Sequence, residues 1–255
     1  MRKITWLVLL DILKNKFVIA YTLLLMLFSW SVFGLEETSN KAFLTLLNLL
    51  LLIVPLVSSL FTTIYIYNSS EFIELLVSQP IKRNTIWNSF FLGLSTVLAL
   101  SFVIGIGIPL LLFVDLKLAL SLLITGSLLT IAFASLAFLA AIASRDKAKG
   151  IGIALITWLF LALLFDGIVM FLSFQLADYP LESFLVFLTS ANPIDLTRIY
   201  NLMQLETSAL LGYTGAIFKS YFDTQLGSLI AMLILIVWTL LPYYISLRIF
   251  KRKDL

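Results

Sequence analysis

Histidine and cysteine are both absent from this chain of 255 residues. Their absence excludes a His-ligated zinc or haem site, a thiol nucleophile, a disulfide and a Ser-His catalytic pair. The chain also has no GxxxxGK[ST] loop, so it does not bind ATP by that motif. We therefore predict no catalytic residues and no metal or other cofactor of its own, and a partner must supply any ATP hydrolysis.

Charged residues are scarce as well: they make up 12% of the chain, whereas 61% is hydrophobic. A soluble domain is usually about 25% charged. Most of the uncharged runs exceed the roughly 18 residues that a helix needs to cross a hydrocarbon core of about 30 Å. The sequence therefore predicts an all-α integral membrane protein, with one transmembrane domain over residues 1–255. The six predicted spans are 17–33, 42–67, 88–114, 118–144, 151–174 and 226–247.

The basic residues indicate the orientation of these spans. Six spans place both termini on one side, and most of the 17 Lys and Arg residues fall on that side. The positive-inside rule then places both termini in the cytoplasm, as in a multi-pass protein of the cytoplasmic (inner) membrane. The basic face suits anionic membrane lipids, so no nucleic acid partner is needed. Residues 4–13 predict a helix in the cytoplasmic interface, with Trp6 at headgroup depth, or else a frayed tail.

The connection between the second and third spans predicts a short amphipathic helix at about 70–79. A serine at 69 or 70 can cap it, Glu71 and Glu74 lie near its positive N-terminal end, and Pro80 ends it. The residues spaced to share one face are Phe72, Leu75, Leu76 and Gln79. The helix either docks in a groove of another protein or lies flat on the inner membrane surface. Its two carboxylates favour docking, because anionic lipid repels them.

The segment between the last two spans, about 175–223, is too apolar for a solvated loop. It predicts two or three short outer helices that dip into the outer leaflet or cap a cavity. Asn192 can cap one of them, Pro193 suits its first turn and Asp195 suits its positive end, with Arg198 placed to pair with Asp195. A structural lid and a gate or docking surface remain equally open as roles.

Asp166 is the one ionisable residue inside a predicted span. A charge within the membrane is costly and marks a functional candidate. Counted at 1.5 Å per residue from the inner side, however, it falls near the outer boundary. It therefore either lines an outward cavity or helix end, or simply reaches water.

These features together resemble the membrane subunit of ABC-2 type transporters (type V exporter-like). The stretch EFIELLVSQPIKR is similar to the coupling region of that family, with Glu-Phe where Gly-Thr is common. The resemblance implies contact with an ATPase through Glu71, Phe72, Glu74, Leu75, Leu76, Gln79, Pro80 and Arg83.

A second stretch, residues 191–218, resembles a segment of NosY-type permeases, the membrane subunits of nitrous oxide reductase maturation transporters. The positions that carry this resemblance are Asn192, Pro193, Asp195, Arg198, Ser208, Ala209, Leu210, Gly212, Tyr213, Thr214, Gly215, Ala216 and Phe218. The resemblance implies a periplasmic gate or a surface that docks a partner protein. The residues implied are Asn192, Pro193, Asp195, Arg198, Gly212, Tyr213, Gly215 and Phe218.

The resemblance implies a homodimer that binds two copies of a cytoplasmic ABC ATPase, which would hold ATP and Mg. It also implies a periplasmic β-helical copper-handling partner. The assembly would serve maturation of the copper–sulfur centre of nitrous oxide reductase, by moving a sulfur species or by transmitting conformational change. An ABC-2 exporter of lipid or peptide is the alternative. A secondary transporter is a remote one, for which 105–109 could break a helix.

Overall fold

The structure is a computed structural model that describes residues 2–176, 182–205 and 225–252. The described residues form helices joined by short connections, which confirms the predicted all-α class. The helices are α1 (Arg2–Leu13), α2 (Lys16–Leu35), α3 (Ser39–Asn68), α4 (Ser70–Val77), α5 (Arg83–Phe113), α6 (Leu116–Ala143), α7 (Lys147–Leu159), α8 (Phe165–Gln175), α9 (Glu182–Ser190), α10 (Pro193–Met203) and α11 (Gln225–Arg252). A π-helical turn, Phe160–Leu164, joins α7 to α8 without a break.

Within the described part of the chain, six helices are long and apolar enough to cross a membrane, as predicted. They are α2, α3, α5, α6, the continuous α7–α8 segment and α11. The last turns of α11 meet the start of α5, where the Arg83 guanidinium donates to the carbonyls of Phe250 and Lys251 at 3.4 and 3.3 Å. We call this the termini end of the bundle. The α2–α3 and α5–α6 connections lie at the opposite end.

α6 is the central helix, in contact with α3, α5, α7, α10 and α11. Small side chains along it, among them Ala132, Ala134 and Ala137, are buried. Small residues let helix backbones approach closely in a membrane, where apolar burial alone does not drive helices together. At Gly126 the Phe102 ring of α5 occupies the space that a Cβ would need. The bundle is therefore built around a narrow central helix.

α1 packs across α5 at the termini end. Val8 and Ile12 are buried, and Val8 lies so close to Gly93 that a Cβ there would meet it at 2.8 Å. The Asp11 carboxylate accepts a hydrogen bond of 2.8 Å from the Tyr65 hydroxyl, whereas Trp6 is exposed. α1 is thus an ordered helix with one buried face and one exposed face, and not a frayed tail. Its position at a membrane surface remains a prediction.

Five aromatic side chains, which we call the aromatic joint, fix α11 to α5 and α6 at the termini end. Trp87 stacks on Phe250 at 4.3 Å between ring centroids, and Phe91 stacks on Tyr243 at 3.9 Å. Phe138 of α6 meets the edges of both Trp87 and Phe91. Trp87 Nε1 also donates to the Ser246 hydroxyl at 3.1 Å. Stacked and edge-to-face rings add to the stability that their buried area provides, so this joint is rigid.

Candidate functional site

The first candidate site is the short helix α4 at the termini end. Ile73 and Leu76 are buried and hold α4 against the bundle, whereas Glu71, Glu74 and Leu75 are exposed. Leu75 is the most exposed of the apolar side chains on α4, at 63%. Phe72, Ser78, Gln79 and Pro80 are exposed as well. α4 therefore presents an acidic and apolar face to its surroundings, which suits a docking helix.

The structure modifies three details of the predicted helix. Leu76 does not share the exposed face, since it is 7% exposed and packs inward beside Ile73. Ser69 is at the N-cap position but makes no side-chain capping bond. Arg83 lies at the start of α5 with its guanidinium on the end of α11, so it clamps α11 to α5. Among the predicted coupling residues, Leu76 and Arg83 thus contact the bundle: Leu76 packs inward from α4, and Arg83 bonds α11.

The elbow between α3 and α4 is tied to two further helices. The Tyr67 hydroxyl donates to the carbonyls of Ala141 and Ser144 at 3.1 and 3.2 Å, at the end of α6. Gly150 of α7 lies against the same phenol, and a Cβ on Gly150 would come within 2.0 Å of the hydroxyl oxygen. Lys147 donates to the side-chain carbonyl of Asn68 at 2.8 Å. A displacement of α4 would therefore move the end of α3, and the contacts of Tyr67 and Asn68 would pass that movement to α6 and α7.

The second candidate site is a helical hairpin, α9–α10, which enters and leaves the bundle at the opposite end. On α9, Val186 packs against an apolar cluster formed by Leu196 and Met203 of α10 with Ala231 and Leu235 of α11. The carbonyl of Ser190 accepts a bond of 3.4 Å from Trp238, near the middle of α11. α10 then returns along α6. The hairpin tip thus lies about halfway along the bundle, deeper than helices that merely cap it.

The tip of the hairpin is held by Asn192, which is fully buried. Its side-chain oxygen accepts from the backbone N–H of Ile194 at 3.0 Å, and Pro193 occupies the first turn. This confirms the predicted cap. Its amide also donates to the carbonyl of Leu161 in the π-helical turn and to Asp195, both at 2.8 Å. Asn192 therefore joins the start of α10 to the middle of the α7–α8 span.

An ion-pair cluster follows one turn further along α10. Arg198 donates to Asp195 at 3.2 Å, as predicted, and to Asp166 on α8 at 2.9 Å. Asp166 thus bonds the α9–α10 hairpin to the α7–α8 span, and because its side chain is 41% exposed, its predicted place at a cavity or in contact with water stays a prediction. One guanidinium nitrogen of Arg198 therefore bonds carboxylates of two different helices.

Asn201 is a site residue that the sequence did not single out. Its amide donates to the Thr125 hydroxyl and to the Thr197 carbonyl, and its side-chain oxygen accepts from the Ser121 hydroxyl, all at 2.8 Å. Thr197 and Asn201 are both buried and four residues apart, on the face of α10 that meets α6. Two polar residues at this spacing, between Ile194 and Leu205, are the signal that could have revealed the contact.

The remaining predicted outer residues lie outside the described part of the chain. They are Gly212, Tyr213, Gly215 and Phe218. Within residues 2–176, 182–205 and 225–252, no group of three His, Cys, Asp or Glu side chains is placed to hold a metal ion. The two sites therefore offer docking faces, hydrogen bonds and one ion-pair cluster.

Comparisons with known proteins agree with this architecture. A family described as "ABC-2 family transporter protein" matches residues 68–255, which include α4, the spans from α5 onward and the hairpin. The chain is also similar to a protein of Pseudomonas aeruginosa named "Probable ABC transporter permease protein NosY". The two are 26% identical over 266 aligned positions, which cover 96% of this chain and 95% of that protein.

Proposed function

The chain belongs to the ABC-2 family of transporter proteins, and from this premise we propose that it serves the maturation of the copper–sulfur centre of nitrous oxide reductase. As an ABC transporter permease it is a transport subunit, and an ATPase subunit is its partner. The likeness to the Pseudomonas aeruginosa NosY permease carries the finer proposal, because it extends over nearly the full length of both chains.

The proposed mechanism begins at α4. With both termini in the cytoplasm, α4 faces the ATPase and presents Glu71, Glu74 and Leu75 to it. Closure of the ATPase on ATP would displace α4. The Tyr67 contacts then pass that displacement to α6 and α7, and the aromatic joint passes it to α11. No chemical step is needed in this chain: it converts ATP-driven closure into movement of spans.

The outer end of the mechanism is the α9–α10 hairpin. It is joined to α8, α6 and α11 by side-chain hydrogen bonds, so relative movement of those spans changes its partners. In the proposed assembly this change opens a passage for a sulfur species or alters a docked periplasmic β-helical protein. The chain contains no histidine or cysteine, so tight copper binding is left to that partner.

A homodimer is part of the proposal, with two ATPase copies below it in the inner membrane. The α7–α8 span supports it, because only 6% of the most apolar window of that span is buried within one chain. Asp166 and Arg198 are also partly exposed on this side, at 41% and 31%. Charged groups are costly against lipid, so a second copy or a water-filled space is the better neighbour for them.

Co-purification tests the assembly. The permease is isolated in mild detergent from the membranes of its own organism, and the proteins that accompany it are identified. Recovery of an ATPase together with a periplasmic β-helical protein is the expected result. Recovery of the ATPase alone, with ATP turnover stimulated by lipid, would favour a lipid exporter and contradict the maturation role. Recovery of no ATPase would contradict the docking role of α4.

A double variant, Glu74→Ala with Leu75→Ala, tests the docking face directly. Both side chains are exposed, so we expect unchanged folding but loss of ATPase binding by at least about tenfold, as at an interface anchor. The matched control is Asp115→Ala with Leu116→Ala, an equally exposed acidic–leucine pair at the opposite end. Affinity for the ATPase and yield of mature nitrous oxide reductase are measured. Equal behaviour of the two double variants would contradict the assignment.

A further inference from the structure

A cavity of about 290 Å³ lies directly behind α4, at the termini end of the bundle. Five helices supply its apolar walls, through Ile66, Ile73, Trp87, Ala141, Ile142 and Phe250. An apolar cavity of about 150 Å³ is enough to bind benzene. The cavity behind α4 therefore has room for an aromatic ring together with the methylene that carries it.

Two exposed residues of opposite charge also line this cavity: Glu74 on α4 and Arg145 on the connection from α6 to α7. The carboxylate of Glu74 would repel the phosphate of an anionic lipid. A protein segment, by contrast, carries apolar and charged side chains next to each other and matches a rim of mixed sign. The charges therefore favour a protein occupant over a lipid.

We propose that the cavity receives one large apolar side chain of the ATPase subunit, with a cationic group beside it that pairs with Glu74. This inference rests on the proposed function, since α4 is both the docking helix and one wall of the cavity. The contact is then reciprocal. The outer face of α4 lies on the ATPase, and a side chain of the ATPase enters behind α4.

The walls of the cavity give this contact a mechanical role. Trp87 and Phe250, which stack on each other in the aromatic joint, both line it. A side chain seated there touches α5 and α11 directly, and it also lies beside Tyr67, which lines the same cavity. The ATPase would thus hold the permease at two places, and its closure would displace α4 against α11.

Because the chain has no cysteine, a thiol introduced at one position is the only thiol that a maleimide can label. Ala141→Cys reports on the cavity wall, Ser78→Cys on the outer side of α4 and Leu116→Cys on the opposite end. Each purified variant is treated with a small water-soluble maleimide, alone and with the ATPase that co-purifies with the permease. We expect the ATPase to slow labelling at positions 78 and 141 and to leave position 116 unchanged.

The outcomes separate this inference from the proposed function. Protection of position 78 without protection of 141 would overturn the inference and leave the docking role of α4 intact. Protection of neither position would overturn both. The same labelling is repeated without ATPase in nanodiscs of neutral and of anionic phospholipid. Protection of position 141 by anionic lipid alone would identify a lipid as the occupant and overturn the proposal.

A cavity-filling variant provides an independent measurement. Ala141→Phe places a ring in the cavity, and Ala143→Phe adds the same ring at an exposed position on the same helix. We expect Ala141→Phe to weaken ATPase binding by at least about tenfold, as blocking of an anchor pocket does, and Ala143→Phe to bind normally. If both variants bind equally well, the cavity holds no ATPase side chain. If Ala141→Phe fails to fold, the cysteine series decides the question alone.

Discussion

The aromatic joint and the α9–α10 hairpin are stabilised by different kinds of interaction. At the termini end, stacked rings hold α11 to α5 and α6, while at the opposite end amides, carboxylates and a guanidinium hold the α9–α10 hairpin. Close-packed side chains have low compressibility and transmit strain. Hydrogen bonds are directional and can be exchanged for other partners. The termini end is therefore suited to transmitting force, and the hairpin is suited to changing state.

Trp87→Ala should give the largest effect, because it removes a fully buried ring from the aromatic joint. Replacement of a buried Trp by Ala typically costs about 3–5 kcal/mol. We expect a large fall in the midpoint of thermal unfolding in detergent. Trp30→Ala is the control, since Trp30 is 42% exposed. Similar midpoints for the two variants would show that the joint is not the rigid element.

Gly150→Ala should come next, because its Cβ would meet the Tyr67 phenol. Overpacking of this kind costs about 1–3 kcal/mol, and it would displace the hydroxyl from the carbonyls at the end of α6. Gly152→Ala is the matched control on the same helix, with nothing within 4 Å of its Cβ. The comparison of unfolding midpoints checks this prediction. A Gly150→Ala variant as stable as Gly152→Ala would contradict the tight elbow.

Asn201→Leu should affect the hairpin more than the bundle. It removes the acceptor of the Ser121 hydroxyl, while the Thr125 hydroxyl keeps its bond to the Ser121 carbonyl, and an unsatisfied buried polar group costs about 1–3 kcal/mol. We expect a small change in global unfolding but faster maleimide labelling of Thr197→Cys in the same background. Labelling of Ala141→Cys is the control at the other end. Equal acceleration at both positions would show that the two ends are not independent.

Much of this architecture follows from local sequence, and the rest depends on tertiary contacts. The spans are set by apolar length, and the start of α10 by Asn192 and Pro193, which act within one turn. The Asp166–Arg198 pair joins residues on different helices, so no local spacing predicted it. Likewise, the spacing of Phe72 and Leu76 places them on one face of α4. That Leu76 is buried follows only from how α4 packs on the bundle.

The partners of the α9–α10 hairpin also imply an order of assembly. Asn192, Asn201 and Arg198 bond to Leu161, Ser121, Thr125 and Asp166, all of which precede the hairpin in the chain. Chains are made from the N-terminus, so these four partners have already been synthesised when the hairpin emerges. Trp238 of α11 follows and closes on Ser190 last. A ribosome-bound chain that ends before α11 should therefore already hold its hairpin in the bundle.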